Sequence, residues 1–162
     1  PQRSDVRALL LALLFVPRTA PAEQWVYSAH AGGGAGLQLA PSGAVRGSGT
    51  VLAESVFGLT DELNLEAPLL IELERTPAAS LGLGLEYVYF RTNHWRLDVG
   101  AGLAARWVFD GSRTLKSGLY FKTAIRWLFT WGVGAALNLH LLTAHSSGMI
   151  AFPSLSLYQE FW

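Results

Sequence analysis

The chain has no cysteine among its 162 residues. That excludes a disulfide framework, a thiolate metal site and a cysteine nucleophile. Hydrophobic residues make up 51 %, yet no apolar run reaches the ~18 residues that a membrane helix needs. Net charge is also missing, with 12 Lys and Arg against 12 Asp and Glu. Neither a nucleic-acid footprint nor an acidic tail is indicated. Proline is scarce, 7 residues against 17 glycines, a balance that suits strands packed around a narrow interior. Beyond residue 22 no segment has a helical period, so the abundant apolar residues must be used in strands.

What is present is period-two alternation, clearest in residues 95–109 (WRLDVGAGLAARWVF). The odd positions are Trp95, Leu97, Val99, Ala101, Leu103, Ala105, Trp107 and Phe109, all apolar. The even positions include Arg96, Asp98, Gly100, Gly102 and Arg106. This is a strand with two unlike faces. Eight such strands are predicted, at 25–40, 48–58, 63–74, 80–90, 95–109, 115–129, 131–142 and 149–162. Turn residues separate them, as at Pro41-Ser42-Gly43, Thr60-Asp61, Thr92-Asn93 and Ser146-Ser147-Gly148.

Across the third to sixth strands no odd position is charged. The even positions hold Glu66, Glu72, Glu74, Glu86, Arg96, Asp98, Arg106, Lys116, Lys122 and Arg126. Ten charges choosing a face at random would sort this way roughly once in a thousand. A charge on a lipid-facing wall costs about 2–4 kcal/mol for Arg or Lys at the midplane. A soluble calyx would have the opposite polarity, apolar within and polar outside. The expected fold is therefore an all-β, eight-stranded antiparallel up-and-down transmembrane barrel, with the apolar face on lipid and the polar face lining the lumen. The second strand fits least well, because Leu52 and Val56 share a face with Glu54; it is expected to be the least regular.

Residues 1–22 read as a secretory signal. Arg3 and Arg7 give a positive start, residues 8–16 (ALLLALLFV) an apolar core, and Ala20-Pro21-Ala22 a small-residue cleavage site. The barrel domain is then 23–162. Losing three Arg and one Asp leaves nine basic and eleven acidic residues, a net charge of −2. Short turns would put both termini on the periplasmic side. An aromatic girdle is expected at that interface, from Trp25, Tyr27, Phe57, Tyr87, Tyr89, Trp95, Trp127, Phe129, Trp131 and Phe161. The outer end has fewer aromatics, chiefly Trp107 and Phe109, with Phe152.

The acids Glu54, Glu66, Glu72, Glu74 and Glu86 fall on strands two to four. The cations Arg96, Arg106, Lys116, Lys122 and Arg126 fall on strands five and six. Buried charges must pair, so a salt-bridge network that plugs the interior is expected, with Asp98 in it. A proton or small-ion path is the alternative. Eight strands leave no room for a solute pore. His30 and His140 are read as lumen hydrogen-bonders; no metal or cofactor is expected. His140, His145, Ser146, Ser147 and Glu160 form the one cluster suited to acyl chemistry, with His145, Ser147 and Glu160 the weak catalytic candidates. The outer loops (41–47, 75–79, 110–114, 143–148) are short, which argues against a receptor or broad adhesin.

Three features resemble small bacterial outer-membrane barrels of the OmpA transmembrane domain, OmpX and OmpW class. Alternation covers nearly all of 23–162. Residues 57–65 (FGLTDELNL) resemble a strand-turn-strand segment of such barrels. The ending LSLYQEFW is similar to the sorting signal they present to the barrel-assembly machinery. The resemblance implies outer-membrane localisation, with membrane lipid and lipopolysaccharide, that machinery and an envelope protein as partners. The His145-Ser146-Ser147-Gly148 loop is loosely similar to the motif of outer-membrane lipid A deacylases and lacks its Asn after the Ser. The expected role is structural, or that of a small binding module. A lipid-modifying enzyme and a subunit of a larger envelope complex are the alternatives.

Overall fold

A computed structural model describes residues 27–40, 42–74, 76–110, 114–130, 132–144 and 148–161. The expected signal at 1–22, together with Trp25 and Trp131 of the girdle and His145 and Ser147, lies outside the described residues. Eight strands follow in order: β1 (Tyr27–Leu39), β2 (Val45–Gly58), β3 (Leu63–Leu73), β4 (Ala78–Arg91), β5 (Trp95–Val108), β6 (Thr114–Thr130), β7 (Val133–Ala144) and β8 (Gly148–Phe161). Each pairs antiparallel with its sequence neighbour, and β1 closes on β8 from Tyr27↔Phe161 to Leu39↔Met149. Closure removes the two edges that an open sheet would expose. The end that carries Tyr27 and Phe161 is called the near end; the opposite rim is the far end.

Alternation decides which side chains point where. On β6, Leu115, Leu119, Phe121, Ile125, Trp127 and Phe129 are exposed, while Tyr120, Lys122, Ala124 and Arg126 are buried. Leu103 on β5 and Leu83 on β4 stand 69 % and 59 % exposed between buried neighbours or glycines. The outside is thus an apolar surface and the charge is inside. On β8 the inward set is Ile150, Phe152, Ser154, Ser156, Tyr158 and Glu160.

Two sequence-based expectations are corrected. β2 is regular: it pairs without a slip along both β1 and β3. Leu52 and Val56 simply share the lumen with Glu54. Phe152 does not serve an outer girdle, because it is fully buried in the lumen. The irregularities fall elsewhere. Register slips between Val88 and Phe90 on β4, and between Leu128 and Thr130 on β6. The first slip leaves two successive aromatics facing outward: Tyr89 is exposed, and Phe90 packs on Trp95 with centroids 4.8 Å apart.

The near-end turns use threonine. Thr60 Oγ1 accepts from the backbone N–H of Glu62 and Leu63, and Thr92 Oγ1 from those of His94 and Trp95. These are local hydroxyl-to-backbone turns that compete well with strand continuation. Inside, the Gly-rich stretches of β4 and β5 form a trough. A Cβ on Gly102 would stand 2.6 Å from Tyr120 Cε1, and one on Gly82 2.9 Å from the same atom. The glycines are the floor on which the Tyr120 ring lies.

Gly102→Val should therefore destabilise by about 1–3 kcal/mol through overpacking. Ala101→Val, one residue along and facing outward, should stay within about 0.5 kcal/mol. Urea titration of the folded barrel in detergent micelles, followed by tryptophan fluorescence, measures both.

Candidate functional site

The lumen concentrates the chemistry of this chain. Glu54 on β2, Glu66 on β3 and Glu86 on β4 bring carboxylate oxygens within 4.8 Å of one another. Lys122 comes across from β6, and its Nζ donates to all three, at 2.5, 2.8 and 2.5 Å respectively. The lysine and all three glutamates have fully buried side chains. Three like charges this close require a cation among them, and the lysine supplies it. Tyr120 Oη adds a 2.8 Å hydrogen bond to Glu66, and Asn64 donates to Glu86 at 3.1 Å.

A second knot lies toward the near end. Arg126 reaches Glu86 through Nη2 at 2.5 Å and Asp98 through Nε at 2.9 Å. Arg96 shares Asp98 at 2.9 Å and comes within 3.7 Å of Glu160 and 3.9 Å of Glu86. Toward the far end, Arg106 grips Glu72 with two parallel hydrogen bonds of 2.8 and 2.9 Å, the fork geometry that favours arginine. Six buried acids (Glu54, Glu66, Glu72, Glu86, Asp98, Glu160) thus face four buried cations (Arg96, Arg106, Lys122, Arg126) among the described residues. The cations are outnumbered, which is why Lys122, Arg126 and Arg96 each serve more than one carboxylate.

The expected residues are not all in one cluster. Glu74 lies just beyond β3, and Lys116 lies beside Arg106 in register; both are half-buried at the far rim, away from the Lys122 centre. Asp98 and Glu160 stand among the cations of the near-end knot rather than on the acidic wall. Residues 145–147 lie outside the described residues; their flanks Ala144 and Gly148 pair at the far end, while Glu160 pairs with Ser28 at the near end. Twelve residues of strand, roughly 40 Å, separate Glu160 from Gly148. His140 is fully buried in register with Lys122, and so is remote from any surface chemistry. His30 shares a 2.9 Å hydrogen bond with Ser28, stacks on Tyr158 and stands 3.8 Å from Glu54.

Of the girdle, Phe57, Tyr87, Tyr89, Trp95, Trp127, Phe129 and Phe161 are exposed. Tyr27 packs between Phe57 and Phe161, tilted against the first at 5.0 Å and stacked on the second at 5.6 Å. Residues that the sequence reading did not single out include Tyr120, Tyr158, Asn64 and Asn138. Their signal is only an inward position next to a charge.

A closed eight-stranded antiparallel barrel, apolar outside and charged within, is a fold shared with solved bacterial proteins. The N-terminal β-barrel domain of OprF from Pseudomonas aeruginosa superposes with a TM-score of 0.68 at 18 % identity, covering 85 % of this chain and 98 % of that one. Neisserial surface protein A gives 0.69 at 14 %, with 83 % and 97 % covered. Ail, the attachment invasion locus protein of Yersinia pestis, gives 0.66 at 7 %, with 85 % and 99 % covered. At these identities the likeness is one of fold. No protein-family model matches the sequence, and neither does any curated protein.

Replacing Lys122 by Met would leave Glu54 and Glu66 buried without their cation, while Glu86 keeps Arg126. A loss of about 3–5 kcal/mol is expected, with part of it recovered in Lys122→Met/Glu54→Gln. Chemical unfolding of the wild type, both single variants and the double variant checks this as a double-mutant cycle.

Proposed function

We propose that the chain is an integral barrel of the bacterial outer membrane whose lumen is closed by its own side chains, serving as a structural element or a small binding and interaction module. The carrying observation is the surface. Exposed aliphatic and aromatic residues continue along all eight strands, from Leu37 and Val51 through Leu83, Leu103 and Leu119 to Leu137 and Leu157. A soluble molecule rarely exposes a contiguous apolar patch above a few hundred Å²; in hydrocarbon such a belt is the required surface. The aromatic cluster at the near end fits an interfacial girdle, and on this reading that end faces the periplasm. Fold likeness to outer-membrane barrels supports the same location. Outer-membrane lipid and lipopolysaccharide are the proposed surroundings, with the barrel-assembly machinery acting during biogenesis. Ion pairs that cross the interior support a closed lumen rather than a solute channel.

Two outcomes follow. Leu103→Arg should weaken folding into lipid vesicles by about 2–4 kcal/mol, whereas Leu103→Phe should not. Wild-type protein in planar bilayers should show no steady, porin-sized conductance. Steady large channels, or indifference to Leu103→Arg, would contradict the reading.

A further inference from the structure

Charge does not fill the whole lumen. Moving toward the far end along β2, β3, β7 and β8, the inward positions turn apolar, while on β1 and β4 they are glycines. Leu52 follows Glu54 on β2, Leu70 lies beyond Glu66 on β3, Leu142 follows His140 on β7, and Phe152 and Ile150 lie beyond Ser154 on β8. With Ala104 and the ring of Tyr120 these form one buried cluster, no member more than 8 % exposed. Apart from Ser80, in register with Leu70, and His140 on its near side, no polar side chain among the described residues interrupts the layer before Thr50 and the Glu72–Arg106 pair. Tyr120 marks the boundary: its hydroxyl is bonded to Glu66 and its ring belongs to the apolar cluster. The gap left beside it, lined by Leu70, Ser80, Ala104, Tyr120, His140 and Leu142 among others, measures about 10 Å³, room for about one water.

We propose that this apolar layer, not the ion-pair network, is the barrier that stops water and protons from passing through the barrel; the proposal rests on the membrane-spanning reading above. The network is a poor seal for a physical reason. It forms a near-continuous line of hydrogen-bonding groups from Ser28 and Glu160 at the near end, through His30, Arg96, Asp98 and Arg126, to Glu54, Glu86 and Lys122. Buried polar atoms along that line, such as Glu54 Oε2 and Arg126 Nη1, have bonding capacity to spare; Ser80 Oγ and the His140 ring nitrogens beside the layer do too, but they are isolated among apolar side chains rather than joined in a row. Such a row can solvate water or relay a proton. A narrow apolar constriction offers neither, and blocks passage by staying dry. The network holds the walls together, and the Leu52–Phe152 layer closes the bore.

The test uses vesicles loaded with a pH-sensitive dye and reconstituted with wild type, Phe152→Ala, Ile150→Ala or Lys122→Gln/Glu54→Gln. The last exchanges one charge of each sign for an amide. Folding of each is checked by circular dichroism, and insertion by flotation with the vesicles. Expected is slow collapse of an imposed pH gradient for wild type and for the network variant, and collapse at least about tenfold faster for whichever layer variant folds. A network variant that leaks while both layer variants hold the gradient would overturn the proposal, as would equal rates in all. Wild type that does not float with vesicles would overturn the membrane reading itself, and the barrier with it.

Discussion

The seam between β1 and β8 is the constraint from which the rest follows. Without it the sheet would carry two rows of unpaired N–H and C=O groups, and in a medium without water each unpaired group costs several kcal/mol. With it, every strand has two neighbours. Closing only eight strands makes the interior too narrow for bulk solvent, so whatever the inward face carries is desolvated. Charge that would be routine on a solvated sheet becomes a problem of pairing, and the six acids and four cations of the lumen are arranged accordingly.

The lumen solves that problem with two unlike materials. Around Lys122 the walls are joined by charge-assisted hydrogen bonds that span the bore from β6 to β2, β3 and β4. Toward the far end the walls meet through Leu52, Leu70, Leu142, Ile150 and Phe152, as in the core of a soluble protein. The glycine trough links the two, because the Tyr120 ring can reach both Glu66 and the apolar layer only where β4 and β5 lack side chains.

Much of this was legible in the sequence because of one energetic asymmetry. A charge cannot face hydrocarbon cheaply, so the sorting of Arg96, Asp98, Arg106, Lys122 and Arg126 onto even positions reveals both the strand period and its facing. The reverse inference is weaker. An apolar residue is acceptable on either face, so nothing but the alternation itself places Leu52, Val56, Leu142 and Phe152 inside. Leu52 and Val56 instead made a regular strand look irregular. Alternation also gives a face but not a height, which is why Glu74 and Lys116 were grouped with a cluster that lies elsewhere along the bore. The facing of Glu160 became readable only through its pairing with Ser28. At Tyr89 a single extra residue reverses the faces beyond it, bringing Phe90 out beside Trp95.

The central ion pairs also have an order along the chain. Lys122 lies 68 residues after Glu54, 56 after Glu66 and 36 after Glu86. Glu54 and Glu66 therefore precede, by more than fifty residues, the cation they share, whereas Glu86 has Arg96 of β5 nearby. Without the sixth strand, Glu54 and Glu66 have no Lys or Arg partner among the described residues. The charge centre is thus built from both ends of the barrel's sequence, and it is complete only when β6 stands across the bore from β2 and β3.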